Sequence, residues 1–138
     1  MKKTLLLVLL LPILGGTAQA SNVIADLDIR RVRLTDAGVI RVRADYFCPE
    51  GHAVPEPGFT QAYVYQYSEE LGNPSKAKHL DGITCDGTSH ELVVRFVRAR
   101  GGLVWGHAPT NVMLHFTAVP DDGSFSDARA GDDETVML

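Results

Sequence analysis

The chain has 138 residues, 45% of them hydrophobic and 22% charged, with 13 basic residues against 17 acidic ones and a formal net charge of −4. That is the length of one domain rather than several. The acidic balance excludes a dedicated nucleic-acid binder, whose domain is usually strongly basic, but it leaves room for a local basic patch.

The N-terminus reads as an export signal over residues 1–20. Lys2 and Lys3 form a positive start, Leu5 to Ile13 is apolar apart from Pro12, and Ala18-Gln19-Ala20 is a small-residue cleavage site. The apolar run is shorter than the ~20 residues that a spanning helix needs, so no stable membrane insertion is expected. Residues 21–138 are then the mature domain, secreted to the periplasm or the extracellular space. Removing Lys2 and Lys3 from the 13 basic residues leaves 11 against 17 acidic ones, a formal −6.

The mature sequence reads as strands separated by turn chemistry, with no helical periodicity. In the first strand, about Ile24 to Leu34, Leu27 and Ile29 share one phase while Val32 and Leu34 share the other. One extra residue at Arg30-Arg31 would return all four to the same face, as a β-bulge does. Thr35-Asp36-Ala37-Gly38-Val39 then predicts a type I turn with Gly38 left-handed, which sets Leu34 opposite Ile40 and Val32 opposite Val42. The second strand alternates cleanly, with Ile40, Val42, Ala44, Tyr46 and Cys48 on its inner face.

Thr60 to Tyr67 is the third strand, and Gly72-Asn73-Pro74-Ser75 turns the chain. Lys78 to Cys85, interrupted at Asp81-Gly82, is a weaker fourth. His90, Leu92, Val94 and Phe96 mark the fifth, and Val112, Leu114, Phe116 and Ala118 the sixth. Pro120 to Asp133 reads as an acidic loop, and Thr135 to Leu138 as a short closing strand. The expectation is an all-β, immunoglobulin-like antiparallel β-sandwich of about seven strands. Trp105 follows both cysteines, so the antibody order of Cys, Trp, Cys is absent.

Cys48 and Cys85 are the two cysteines of the chain. After export an even pair reads as a disulfide, worth about 4 kcal/mol in the chain-entropy model. The alternative is a zinc site, because Cys48 with His52 and Cys85 with His90 have ligand-like spacings. Oxidation competes with that ligation, and no cofactor is expected.

Tyr46-Phe47-Cys48-Pro49-Glu50-Gly51, Cys85-Asp86-Gly87-Thr88-Ser89-His90 and the apolar strand after Gly106-His107-Ala108 resemble a family of short secreted bacterial proteins catalogued as a domain of unknown function. The resemblance spans nearly all of the mature chain. It implies an extracellular β-sandwich with a two-cysteine framework and transfers no catalytic residue.

No G-x-S-x-G elbow, H-E-x-x-H helix or phosphate-cradling glycine loop is present, and the histidines at 52, 79, 90, 107 and 115 are scattered, so no enzymatic activity is expected. The acidic run around Asp121, Asp122, Asp127, Asp132, Asp133 and Glu134 lacks EF-hand spacing and reads as a solvated charge run. Two surface features stand out. The hairpin register puts Arg33 opposite Arg41 and Arg31 near Arg43, a like-charge arrangement that is mildly destabilising. Asp28, Asp45 and Glu91 on neighbouring strands are the preferred means of neutralising it. An anionic envelope polymer, an acidic glycan or a protein would also compensate. Tyr63, Tyr65 and Tyr67 share one face of the third strand, with Ala62, Val64 and Gln66 on the other. That row is either a recognition surface or the core face, and Gln66 is unwelcome in a core on either account.

The leading expectation is thus a secreted, non-enzymatic interaction module that binds a protein or envelope polymer through a strand face. A small-molecule or metal-binding sandwich and an unrecognised secreted enzyme are the alternatives.

Overall fold

The computed structural model describes residues 24–138, so the expected signal peptide at residues 1–20 lies outside the described residues. Eight strands follow in order: β1 (Asp26–Leu34), β2 (Ile40–Phe47), β3 (His52–Ala53), β4 (Thr60–Gln66), β5 (Ser75–Lys78), β6 (Ser89–Phe96), β7 (Pro109–Pro120) and β8 (Ala128–Met137). They form two antiparallel sheets. The first has the order β1-β2-β6. In the second, β7 pairs along its length with β4 and with β8, β5 pairs with β4, and β3 pairs with the end of β7. Taking β1 as strand A, the first sheet holds A, B and E and the second holds C, F and G. That is the immunoglobulin-like arrangement, with β5 attached to C rather than to E.

The core follows from the two-residue alternation. β2 contributes Ile40, Val42, Ala44 and Tyr46, β6 contributes Leu92, Val94 and Phe96, and β1 contributes Leu27 and Ile29 from the first sheet. Ala62 and Val64 of β4, Val112, Leu114, Phe116 and Ala118 of β7, and Ala128 and Ala130 of β8 answer them from the second. Each large side chain taken out of water here stabilises by about 1.5–3 kcal/mol before entropy is counted. Gln66 sits wholly inside, and its polar atoms are satisfied. Its Nε2 donates to the carbonyl of Gly106 at 2.8 Å and to Thr110 Oγ1 at 3.0 Å, and its Oε1 accepts the N–H of Gly106 at 3.0 Å. A buried amide is tolerable when it is bonded in this way.

The hairpin of β1 and β2 has the expected register. Leu34 lies opposite Ile40 and Val32 opposite Val42, and the pairing shifts between Ile29 and Arg31 so that Arg30 is the extra residue. Gly38 has φ of +72°, and its N–H donates to the carbonyl of Thr35 at 2.8 Å. The bulge turns Arg30 and Arg31 outward together.

Three elements differ from the sequence reading. The fourth strand lies earlier, at Ser75–Lys78. Asn73, with φ of +49°, exchanges hydrogen bonds with Ser68, which closes the turn and sends the chain straight back along β4 after Pro74. Residues 79–88 are irregular instead, because Gly82 adopts φ of +75° and Leu80 and Tyr46 hold the loop by other bonds. The stretch to Asp133 is not all loop, since β8 begins at Ala128. Its alanines are small enough to face the core, while Asp132 accepts the N–H of Ile29 across the sandwich at 2.8 Å and so covers the exposed edge of β1. Strand β3, His52–Ala53, which the sequence reading did not include, is too short to carry a periodicity.

Candidate functional site

The two outer faces of the sandwich carry the features that the sequence singled out. On the second sheet, β4 has Ala62, Val64 and Gln66 buried while Tyr63 and Tyr65 are half-buried and Tyr67 is 58% exposed. The tyrosine row is therefore the outer face, because the inner positions are taken by Ala62, Val64 and Gln66, which lie beside Leu114, Val112 and Thr110 of β7. Register extends the row across the sheet. Tyr63 lies opposite Met113, which lies opposite Asp133; Tyr65 lies opposite Asn111, which lies opposite Thr135. The N–H of Tyr67 donates to the carbonyl of Pro109 at 2.9 Å, and Pro109 lies opposite Met137, which is 74% exposed. The Tyr65 and Tyr67 rings meet edge to face with centroids 4.6 Å apart. Asn111 Nδ2 donates to Thr135 Oγ1 at 3.1 Å, so polar groups are interleaved with the apolar ones. Rigid aromatics and methionines with a polar border are the composition of a contact surface.

On the first sheet, Arg33 lies opposite Arg41 and Arg31 opposite Arg43, as expected. The expected neutralisation is divided among the arginines. Arg43 pairs with Glu91, and that bond raises its guanidinium above the ordinary value. Arg30 pairs with Asp45 at 2.7 Å and with Asp28 at 3.0 Å. Among the described residues, no carboxylate lies within ion-pair distance of Arg31, Arg33 or Arg41.

Cys48 and Cys85 form a disulfide with Cα atoms 4.5 Å apart, so neither thiolate is available to zinc. The bridge joins the end of β2 to the loop before β6, and Gly87 N–H donates to the carbonyl of Cys48 at 3.1 Å beside it. His52 lies against the carbonyls of Glu50 and Ser126, each at 3.2 Å. His90 stacks on Tyr46 with ring centroids 5.5 Å apart, and its Nε2 is 2.9 Å from both oxygens of Asp86. The Thr88 hydroxyl reaches that same nitrogen at 3.2 Å. A hydrolytic triad needs carboxylate and hydroxyl on opposite nitrogens of the ring, so this cluster is not arranged as a relay.

Asp86 instead organises the turn after the bridge. Its carboxyl is pulled down to about 2 by the Thr88 hydroxyl, then by His90 and the Thr88 N–H. A carboxylate with a lowered folded-state pKa stabilises above its ordinary range, and the effect is lost as pH falls through that lowered value. Within the acidic run, Asp122 accepts the N–H of Ser124 at 2.9 Å, which lowers its pKa and closes a turn.

Three contributors escaped the sequence reading. Arg95 faces outward from β6 directly opposite Arg41, and Met113 and Met137 share the face of the tyrosines. The alternation of Leu92, Val94 and Phe96 already put Arg95 outside, but nothing in the sequence says that β6 lies beside β2. No helix among the described residues is long and apolar enough to cross a membrane. The chain matches no protein-family model, no curated protein and no solved structure.

Proposed function

We propose that the chain is an exported, non-enzymatic interaction module that engages a protein or envelope polymer through the outer face of β4 and β7. The observation that carries this reading is the outward-facing row of Tyr63, Tyr65 and Tyr67, half-buried to exposed, flanked by Met113 and Met137. Tyrosine gives large contact area with few rotatable bonds, and contiguous exposed apolar surface marks interaction sites on monomers. Export rests on the sequence of residues 1–20, and the disulfide suits an oxidising compartment. The resemblance to short secreted bacterial proteins is in keeping with the same reading.

The test is retention of binding partners from envelope fractions and culture supernatant on the immobilised, oxidised protein, compared with Tyr65→Ala. Retention should fall about ten-fold or more, as for truncation of a contact aromatic. Melting should shift by no more than about 1 kcal/mol equivalent. An unchanged set of retained components with Tyr65→Ala would remove the tyrosine face from the function.

A further inference from the structure

The outer face of the first sheet carries a second feature, on the opposite side of the sandwich from the tyrosines. Arg33 lies opposite Arg41, and Arg41 lies opposite Arg95, so three guanidinium side chains stand in one row across all three strands. Adjacent strands are ~4.8 Å apart, which makes the row ~10 Å long. Like charges directly opposite one another destabilise a sheet. The rows beside this one find relief in Arg43 with Glu91 and in Arg30 with Asp28 and Asp45. The row of Arg33, Arg41 and Arg95 has neither an ion pair nor a side-chain hydrogen bond among the described residues. Lys78 lengthens it, because its Nζ donates to the carbonyl of Arg95 at 3.2 Å and sets a fourth cation at the β6 edge.

We propose that this row is a binding site for a linear acidic polysaccharide, whose carboxylate or sulfate groups fill the places that protein carboxylates leave empty. Guanidinium groups pair with such oxyanions through parallel N–H bonds. A row of three needs several anions at once, which a repeating polymer supplies and one small ion does not. Next to the row stand Val93 of β6 and Val97 just past its end, 39% and 62% exposed, which offer aliphatic surface to the C–H faces of sugar rings. Single-stranded nucleic acid relies on aromatic stacking platforms, and neither this row nor the one beside it holds an aromatic residue. An anionic membrane laid flat on the sheet would meet the carboxylates of Asp28, Asp45 and Glu91 as well, whereas a polymer lying along the strip avoids them.

The experiment measures binding of the purified, oxidised protein to dextran sulfate and to polygalacturonate, with neutral dextran, anionic phospholipid vesicles and single-stranded DNA alongside. Both acidic polysaccharides should bind and neutral dextran should not. Affinity should fall about ten-fold or more between about 50 and 200 mM salt, as counterion release requires. The triple variant Arg33→Thr/Arg41→Thr/Arg95→Thr should lose about ten-fold or more, and Arg41→Gln alone, the milder change should the triple not fold, about three-fold. Arg43→Gln/Glu91→Gln removes a pair that is already neutral and should change affinity by less than about two-fold. Tyr65→Ala should leave polysaccharide binding intact, which separates this site from the tyrosine face. Failure to bind either acidic polysaccharide, undiminished binding by Arg41→Gln, or tighter binding to vesicles or DNA would overturn the assignment.

Discussion

The two outer faces of the sandwich are products of the same alternation, yet they differ in kind. On β4 and β7 the outward residues include the tyrosines, Met113, Pro109 and Asn111, whose interactions act at contact distance. On β1, β2 and β6 they are mostly arginines and carboxylates, whose interactions reach across a Debye length of about 8–10 Å. The first face holds its own side chains by packing and by bonds such as Asn111 to Thr135. The second holds them only where a carboxylate happens to lie in register, and it leaves one row of like charge unanswered. A sheet tolerates either outside because its stability is decided on the inner face. What each face costs or gains is then a separate, measurable quantity.

The largest expected effect tests whether both faces are outside at all. Phe116→Ala empties a fully buried position and should cost about 3–5 kcal/mol in denaturant unfolding. Tyr65→Ala, on the outer face of the same sheet, should cost far less. Equal losses would make the tyrosine row part of the core. Next comes the bridge, which fastens the loop before β6 to the end of β2 in the arginine-bearing sheet. Cys48→Ala/Cys85→Ala should lower stability by about 2–5 kcal/mol under oxidising conditions.

A smaller effect is expected at the tip of the hairpin that carries Arg33 and Arg41. Gly38→Val puts a β-branched residue at φ of +72° and should cost at least about 1 kcal/mol by chemical unfolding. A neutral outcome there would mean that the hairpin closes by another turn. The smallest effect sharpens the contrast most. Arg41→Thr should leave stability unchanged or raise it by about 0.5 kcal/mol, with the gain shrinking as salt is added, because it relieves opposition on both sides at once. A clear loss would show that Arg41 is held by its aliphatic stem.

Much of the architecture was legible in the residues. The shift of apolar phase between Ile29 and Val32 located the bulge, and the parity of Leu34, Ile40, Val32 and Val42 chose the register of the hairpin. Both are local, because one slip would turn every side chain to the wrong face. Strand β8 was half missed for the opposite reason. Asp132, Asp133 and Glu134 look like loop chemistry, and only their neighbours across the sandwich give Asp132 a backbone donor to accept.

The sequence alone thus determined the strands whose alternation is strong, the turn at Gly38 and the opposition of Arg33 with Arg41, and it favoured the pairing of Cys48 with Cys85 over zinc ligation. These depend on period two, on backbone sterics and on the chemistry of a cysteine pair, all of which act over short stretches of chain or on residue type. The tertiary structure decided which side of β4 is the core, how Gln66 is satisfied by Gly106 and Thr110, and that Arg95 completes a row begun on a hairpin more than fifty residues away. The physical reason is that sheet order and the facing of one layer on another are set by packing between segments distant in sequence, and no local pattern encodes which strand will lie alongside.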